Sequence, residues 1–241
     1  LVAAVLVTFG LSNTSFAFHS GGVAECLGCH QMHNAPGTSL LIMHDQSSTC
    51  LERHGEPNPS RYHVLTPDSQ MPAGTAPLNM GPGGDFGWLK KDYYFSIRNS
   101  PNTEMGQTHG HNIIATDFNL VSDVDNPTAP GGTFPGASLS CVACHDMHGK
   151  GRYLTTGAYA KTGQAIWTSG SYGAQPTVLS HGSYATGVYR LLRGGGDTVD
   201  GVTFASAPPV AVVNSSYNRS EFFTQTRTAY GSGMSDWCGV C

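Results

Sequence analysis

Seven cysteines and eleven histidines carry most of the chemistry open to this chain of 241 residues. The cysteines fall at Cys26/Cys29, Cys50, Cys141/Cys144 and Cys238/Cys241, so three of the four groups are Cys-x-x-Cys. Two of the pairs run straight into histidine, as Cys26-Leu-Gly-Cys29-His30 and Cys141-Val-Ala-Cys144-His145. Two thiols on one tight turn can each add across a vinyl group of a porphyrin and form a thioether. The next residue then lies under the ring, where an imidazole nitrogen reaches the iron as proximal ligand. The spacing therefore points to c-type haem. A zinc knuckle would place a second Cys pair about 15–20 residues on, and the intact pairs here are much further apart. A disulfide framework gives no reason for a histidine after the second cysteine.

The other two groups depart from the pattern. Cys50-Leu-Glu-Arg53-His54 keeps the first thiol and the histidine but carries Arg where the second thiol belongs. Three readings stay open: a haem held by one thioether through Cys50 with His54 as ligand, an empty site, or an error in the sequence at Arg53. The retained offset of His54 favours the first. Cys238-Gly-Val-Cys241 reads as a fourth motif cut before its histidine. The expectation is about four haem c groups.

An iron with two imidazole ligands needs a second histidine on the opposite face of the porphyrin. Beyond His30, His54 and His145, eight histidines remain: His19, His33, His44, His63, His109, His111, His148 and His181. His33 and His148 each follow a motif histidine by three, within Cys-x-x-Cys-His-x-Met-His. Three residues on is the same side of a helical turn, and the porphyrin blocks the way to its own far face. If either ligates, it serves a different haem. His44 and His181 read as structural, and of His109 and His111 only one is expected to ligate. Two imidazoles per iron leave no open position for substrate, which favours electron transfer over catalysis.

The elements that must position these groups are short. The chain holds 31 Gly and 14 Pro, and charged residues are only 12 %. So much Gly and Pro excludes a helical bundle, while the low charge excludes disorder of the solvated-coil kind. A net charge of −4 argues against a nucleic-acid surface. The expected fold class is mostly irregular loop with short helices and few strands, organised around a chain of haems. A strand is expected over Trp88 to Arg98 and a helix from Ser220 through Trp237, with turns at 71–77, 81–84 and 129–135. The apolar run from Leu1 to Leu11, followed by Ser15-Phe16-Ala17, reads as the remnant of a signal peptide over 1–17. That leaves one cytochrome domain over 18–241, truncated at its C-terminus. No later stretch is long and apolar enough to span a membrane. Burying several hundred Å² of porphyrin would contribute on the order of 10 kcal/mol per haem, so the haems should serve as much of the core.

Phe18-His-Ser-Gly-Gly-Val-Ala-Glu-Cys-Leu-Gly-Cys-His-Gln-Met-His33 resembles the mature start of the filament-forming outer-membrane cytochrome S type, an extracellular hexahaem c-type cytochrome. The resemblance continues through Met71–Trp88, Gly110–Ile113, His145–Lys150 and Thr224–Cys238. It implies a loop-rich protein that stacks its haems in a continuous chain and joins protomers head to tail. It makes His33 the ligand to a haem of the next protomer, and His19, His63, His111 and His148 distal ligands. Other redox proteins or extracellular electron acceptors would be further partners, and the chain would be secreted to the cell surface. Arg53 departs from the family pattern, and two further motifs would lie beyond Cys241. The expectation is an extracellular electron conduit, not an enzyme. The alternatives are a monomeric periplasmic shuttle and a multihaem reductase with one open site.

Overall fold

The computed structural model describes residues 26–55, 63–79, 83–106, 110–154, 156–161, 184–186, 188–212 and 229–241. Irregular backbone dominates them, as the composition predicts. The longest helix, α1 (Gln46–His54), starts at Asp45, whose carboxylate accepts from Ser48 N at 2.7 Å and from the Ser48 hydroxyl at 2.8 Å. The same carboxylate accepts from Thr116 N at 2.7 Å and the Thr116 hydroxyl at 2.5 Å, so one N-cap also fixes a distant loop. Burial would raise the pKa of Asp45, but these four hydrogen bonds outweigh it and hold the carboxyl below its usual range. α1 packs against the single turn of α2 (Cys141–Cys144) through small buried residues; the Ser47 hydroxyl accepts from Cys141 N at 3.1 Å.

The strands form small antiparallel units. β1 (Tyr93–Ile97) pairs with β2 (Ser100–Glu104) across a two-residue turn in which Arg98 (φ 50°) and Asn99 (φ 68°) are left-handed. The strand expected from Trp88 thus begins only at Tyr93. Asp85 caps a 3₁₀ turn over Phe86–Lys90, and this uses up the first residues of the expected strand. β3 (Gly151–Leu154) lies between β4 (Tyr159–Lys161) and β5 (Tyr184–Thr186). β6 (Thr198–Val199) pairs with β7 (Val202–Thr203), and β8 (Ala211–Val212) with β9 (Ala229–Tyr230). The helix expected to lead into the last motif shrinks to α3 (Met234–Cys238), because Ala229 and Tyr230 are taken by β8. Its proposed start, Ser220 to Arg227, lies outside the described residues, as does the expected signal segment.

Three small apolar clusters replace one core. Leu51, Leu65, Ile113, Ala115 and Leu120 pack behind α1, with Cys141 at the margin. Val188, Tyr189, Leu192, Phe204, Ala211 and Trp237 pack behind α3, with Cys144 at the margin. Phe134, Ala143 and Val202 form the third, which Cys241 touches. Each cluster therefore backs a cysteine motif. Between them, buried Asp85 accepts from Thr66 N, the Thr66 hydroxyl, Asn79 N, Asn79 Nδ2 and Gly87 N at 2.6–3.1 Å. This one carboxylate ties the 66–79 loop to the turn before β1.

Candidate haem-binding site

The first and third motifs are built alike. Cys26–Gly28 and Cys141–Cys144 each form one helical turn, and in both the motif histidine closes it: His30 N donates to Cys26 O at 2.8 Å and His145 N to Cys141 O at 3.0 Å. Each histidine then bridges to a leucine, His30 to Leu41 and His145 to Leu192. His30 Nδ1 lies 2.9 Å from Ser39 O, and His145 Nδ1 lies 2.8 Å from Arg190 O. A carbonyl only accepts, so Nδ1 carries the proton and Nε2 is left with its lone pair for a metal. Burial pushes His145 below its usual range, keeping the ring in the neutral form that a ligand needs.

The second histidine of the third motif's -His-x-Met-His run has a place. The ring of His148 lies parallel to that of His30, with centroids 6.4 Å apart and 15° between the planes. Two imidazoles that each reach one iron through a nitrogen at about 2 Å have their centroids about 6 Å apart. The third turn thus brings its extra histidine to the ring of the first motif and not to that of its own. His33 and His111 are exposed, and His63 and His54 are half-buried, His54 as the last residue of α1. His44 is tied to Asp117 at 2.6 Å, which agrees with a structural role. His19, His109 and His181 lie outside the described residues.

The motifs adjoin one another in chain order. The Cys29 thiol is pushed up by burial, opposed by the nearby Arg53 guanidinium. Cys50 hydrogen-bonds to Cys141, which together with burial holds the Cys50 thiol well above its usual value and pulls Cys141 down. Burial, with Cys241 and Cys141 adding to it, pushes Cys144 up to about 12. The Trp237 indole N–H donates to Arg193 O at 2.7 Å and ties α3 to the 190–193 segment, whose Leu192 bridges to His145. Gly132 lies so close under the Cys241 carbonyl that a Cβ there would overlap it.

All seven cysteines are free thiols. Among the described residues no three His, Cys, Asp or Glu side chains converge as a self-contained metal site, so the zinc reading has no cluster to rest on. The residues do fit haem c. Two turns each offer a thiol pair and an imidazole with a free nitrogen. A second imidazole stands opposite His30, and Leu27 and Met32, 80 % and 74 % exposed, give apolar surface beside the first pair for a porphyrin to cover.

The fold is loop-built and similar to that of a multihaem c-type cytochrome. The chain is similar to C-type cytochrome OmcS of Geobacter sulfurreducens, 48 % identical over an alignment of 248 positions that covers 94 % of this chain. Its structure is similar to that of the OmcS nanowires from the same organism, determined by cryo-EM, with a TM-score of 0.73, 46 % identity and 93 % of this chain covered. A second structure, the outer membrane cytochrome S filament, gives a TM-score of 0.72 over the same share. The chain spans 57 % of the curated relative's length and 60 % of each solved chain, less than two-thirds in every case. No family model matches it.

Proposed function

We propose that this protein conducts electrons outside the cell through covalently attached haem c groups held by two histidines each, as a subunit of a polymeric cytochrome and not as an enzyme. The observation that carries this reading is the His30–His148 pair, whose parallel rings have centroids 6.4 Å apart, close to the separation of two imidazoles on one iron. When bound, haem c supplies an iron that takes up and gives back one electron. The rest falls to the chain. Cys26 with Cys29 and Cys141 with Cys144 anchor two haems, with His30 and His145 as proximal ligands and His148 as the distal ligand facing His30. Cys50 anchors a third by a single thioether, with Arg53 in place of the second thiol and His54 as ligand. Cys238 and Cys241 belong to a fourth. His19, His63 and His111 are further distal ligands.

His33 is the counterpart of His148 on the first turn, and it is exposed. By that equivalence it serves a haem other than its own. The resemblance to filament-forming cytochromes makes that a haem of a neighbouring subunit, joining identical chains head to tail. Both solved relatives are filaments, and no helix among the described residues is long and apolar enough to cross a membrane; both observations support a secreted, cell-surface protein. Titrating the purified protein with carbon monoxide tests the reading. The reduced form should bind little and the oxidised spectrum should be low-spin throughout. Stoichiometric binding to one haem would indicate an open, enzyme-like site instead.

A further inference from the structure

The two histidine turns share a clasp that motif spacing does not specify. In each, two consecutive residues other than glycine adopt the left-handed conformation: Ser39 (φ 57°) and Leu40 (φ 61°) opposite His30, Arg190 (φ 48°) and Leu191 (φ 55°) opposite His145. The hydrogen bonds repeat one for one. The first carbonyl of each pair, Ser39 O or Arg190 O, accepts from the imidazole at 2.9 and 2.8 Å. The second, Leu40 O or Leu191 O, accepts from the residue after the histidine, at 2.8 Å from Gln31 N and 2.7 Å from Asp146 N. The next-but-one residue donates back to the second cysteine, Ile42 N to Cys29 O at 3.1 Å and Arg193 N to Cys144 O at 2.9 Å. The first clasp is local, whereas the second is brought in from a loop far along the chain. The same strained geometry has thus been assembled twice from different connections. Left-handed backbone is costly for side-chain-bearing residues and persists where surrounding bonds over-determine it, commonly at functional sites.

We propose that these left-handed pairs are positioning elements for the proximal ligands: they aim one backbone carbonyl at Nδ1 and thereby hold down the potentials of the haems on His30 and His145. This rests on the haem reading given above. A carbonyl that accepts from Nδ1–H increases the electron density of the ring. The ring then favours the ferric iron, which lowers the potential. Turning the carbonyl away leaves both thioethers and the ligand in place but raises the potential.

Leu40 suits the test because its side chain is partly exposed and only its backbone is bonded to the motif. Leu40→Gly, Leu40→Asn, Leu40→Ala and Leu40→Val would be made in the full-length haem-loaded protein, with haem counted by intact mass. Potentiometric titration and electron paramagnetic resonance would then be read on each. Gly and Asn tolerate a positive φ, Ala less so, and Val least. If backbone conformation sets the potential, Gly and Asn, which accept a positive φ more readily than the native leucine, leave it unchanged, Ala stays near it, and Val shifts one haem upward with its low-spin signal. If the leucine side chain sets it by covering the porphyrin, Gly shifts most, which would overturn the proposal. An identical titration for all four would overturn it too. Should the Val variant fail to load haem, the Gly and Ala variants still carry the comparison. A wild-type protein without low-spin haem would instead refute the haem reading and leave the clasp proposal without an object.

Discussion

His30 and His148 belong to different cysteine motifs, yet their imidazole rings lie parallel with centroids 6.4 Å apart. A histidine three residues after its own proximal ligand cannot reach round the porphyrin, so in the proposed ligation the third turn contributes to the first site. The motifs are thereby cross-linked: loss of one histidine should alter a haem whose cysteines are far away in sequence.

His148→Ala should therefore leave haem content by intact mass unchanged while one haem turns high-spin and gains carbon monoxide binding. The altered haem should be the one on the peptide with Cys26 and Cys29, not the one with Cys141 and Cys144. Resonance Raman spectra combined with His30→Ala identify it: the two single variants should affect the same haem.

Arg53 occupies the position of a thiol on α1, beside Cys29. With one thioether, one vinyl group stays unreacted, and the pyridine haemochrome band of that haem should lie at longer wavelength than the others. Arg53→Cys should bring it back in line. Cys50→Ser should remove that haem from the peptide in mass analysis, and retention of covalent haem there would refute the single-thioether assignment.

Asp85 offers a pH-dependent test of the scaffold. Burial would raise its pKa, but hydrogen bonds from Thr66, Gly87 and Asn79 outweigh this and hold it below the usual carboxylate range. Its stabilising contribution is thus fully present above the unfolded value of about 4 and fades as pH falls through the lower folded value. Asp85→Ala leaves five donors without their acceptor and should cost on the order of 3 kcal/mol. Hydrogen exchange at the backbone N–H groups of Thr66, Asn79 and Gly87 reads both effects: fast in the variant at pH 7, and in the wild type only under strong acid.

How much of this was legible in the sequence follows from the range of each interaction. A Cys-x-x-Cys-His turn is local chemistry, and high Gly and Pro content limits every element, so the motifs and the loop-built fold class could be read directly. The clasp could not. Left-handed backbone is ordinarily announced by Gly or Asn, and Ser39, Leu40, Arg190 and Leu191 give no such signal; only bonds made after folding hold them there. Arg98 hides the β1–β2 turn for the same reason. The late start of β1 depends on Asp85, whose partners at Thr66 and Asn79 no local pattern connects to it.

The remaining prediction concerns His33. The first and third turns are equivalent bond for bond, and in the third the extra histidine serves the haem of another motif. In the proposed ligation His30 takes the near face of the first haem and His148 the far face, which leaves His33 no place on that iron. Its exposed ring suits a haem presented by a second chain. His33→Ala should keep haem per monomer unchanged by mass and leave the His30 haem low-spin, while one haem at the contact between chains becomes partly high-spin. Electron microscopy of the full-length variant should then reveal single subunits where the wild type is expected to form filaments, and added imidazole should restore the low-spin signal without restoring filaments. Filaments of normal length from the His33→Ala protein would sink this assignment and move His33 to a haem within its own chain.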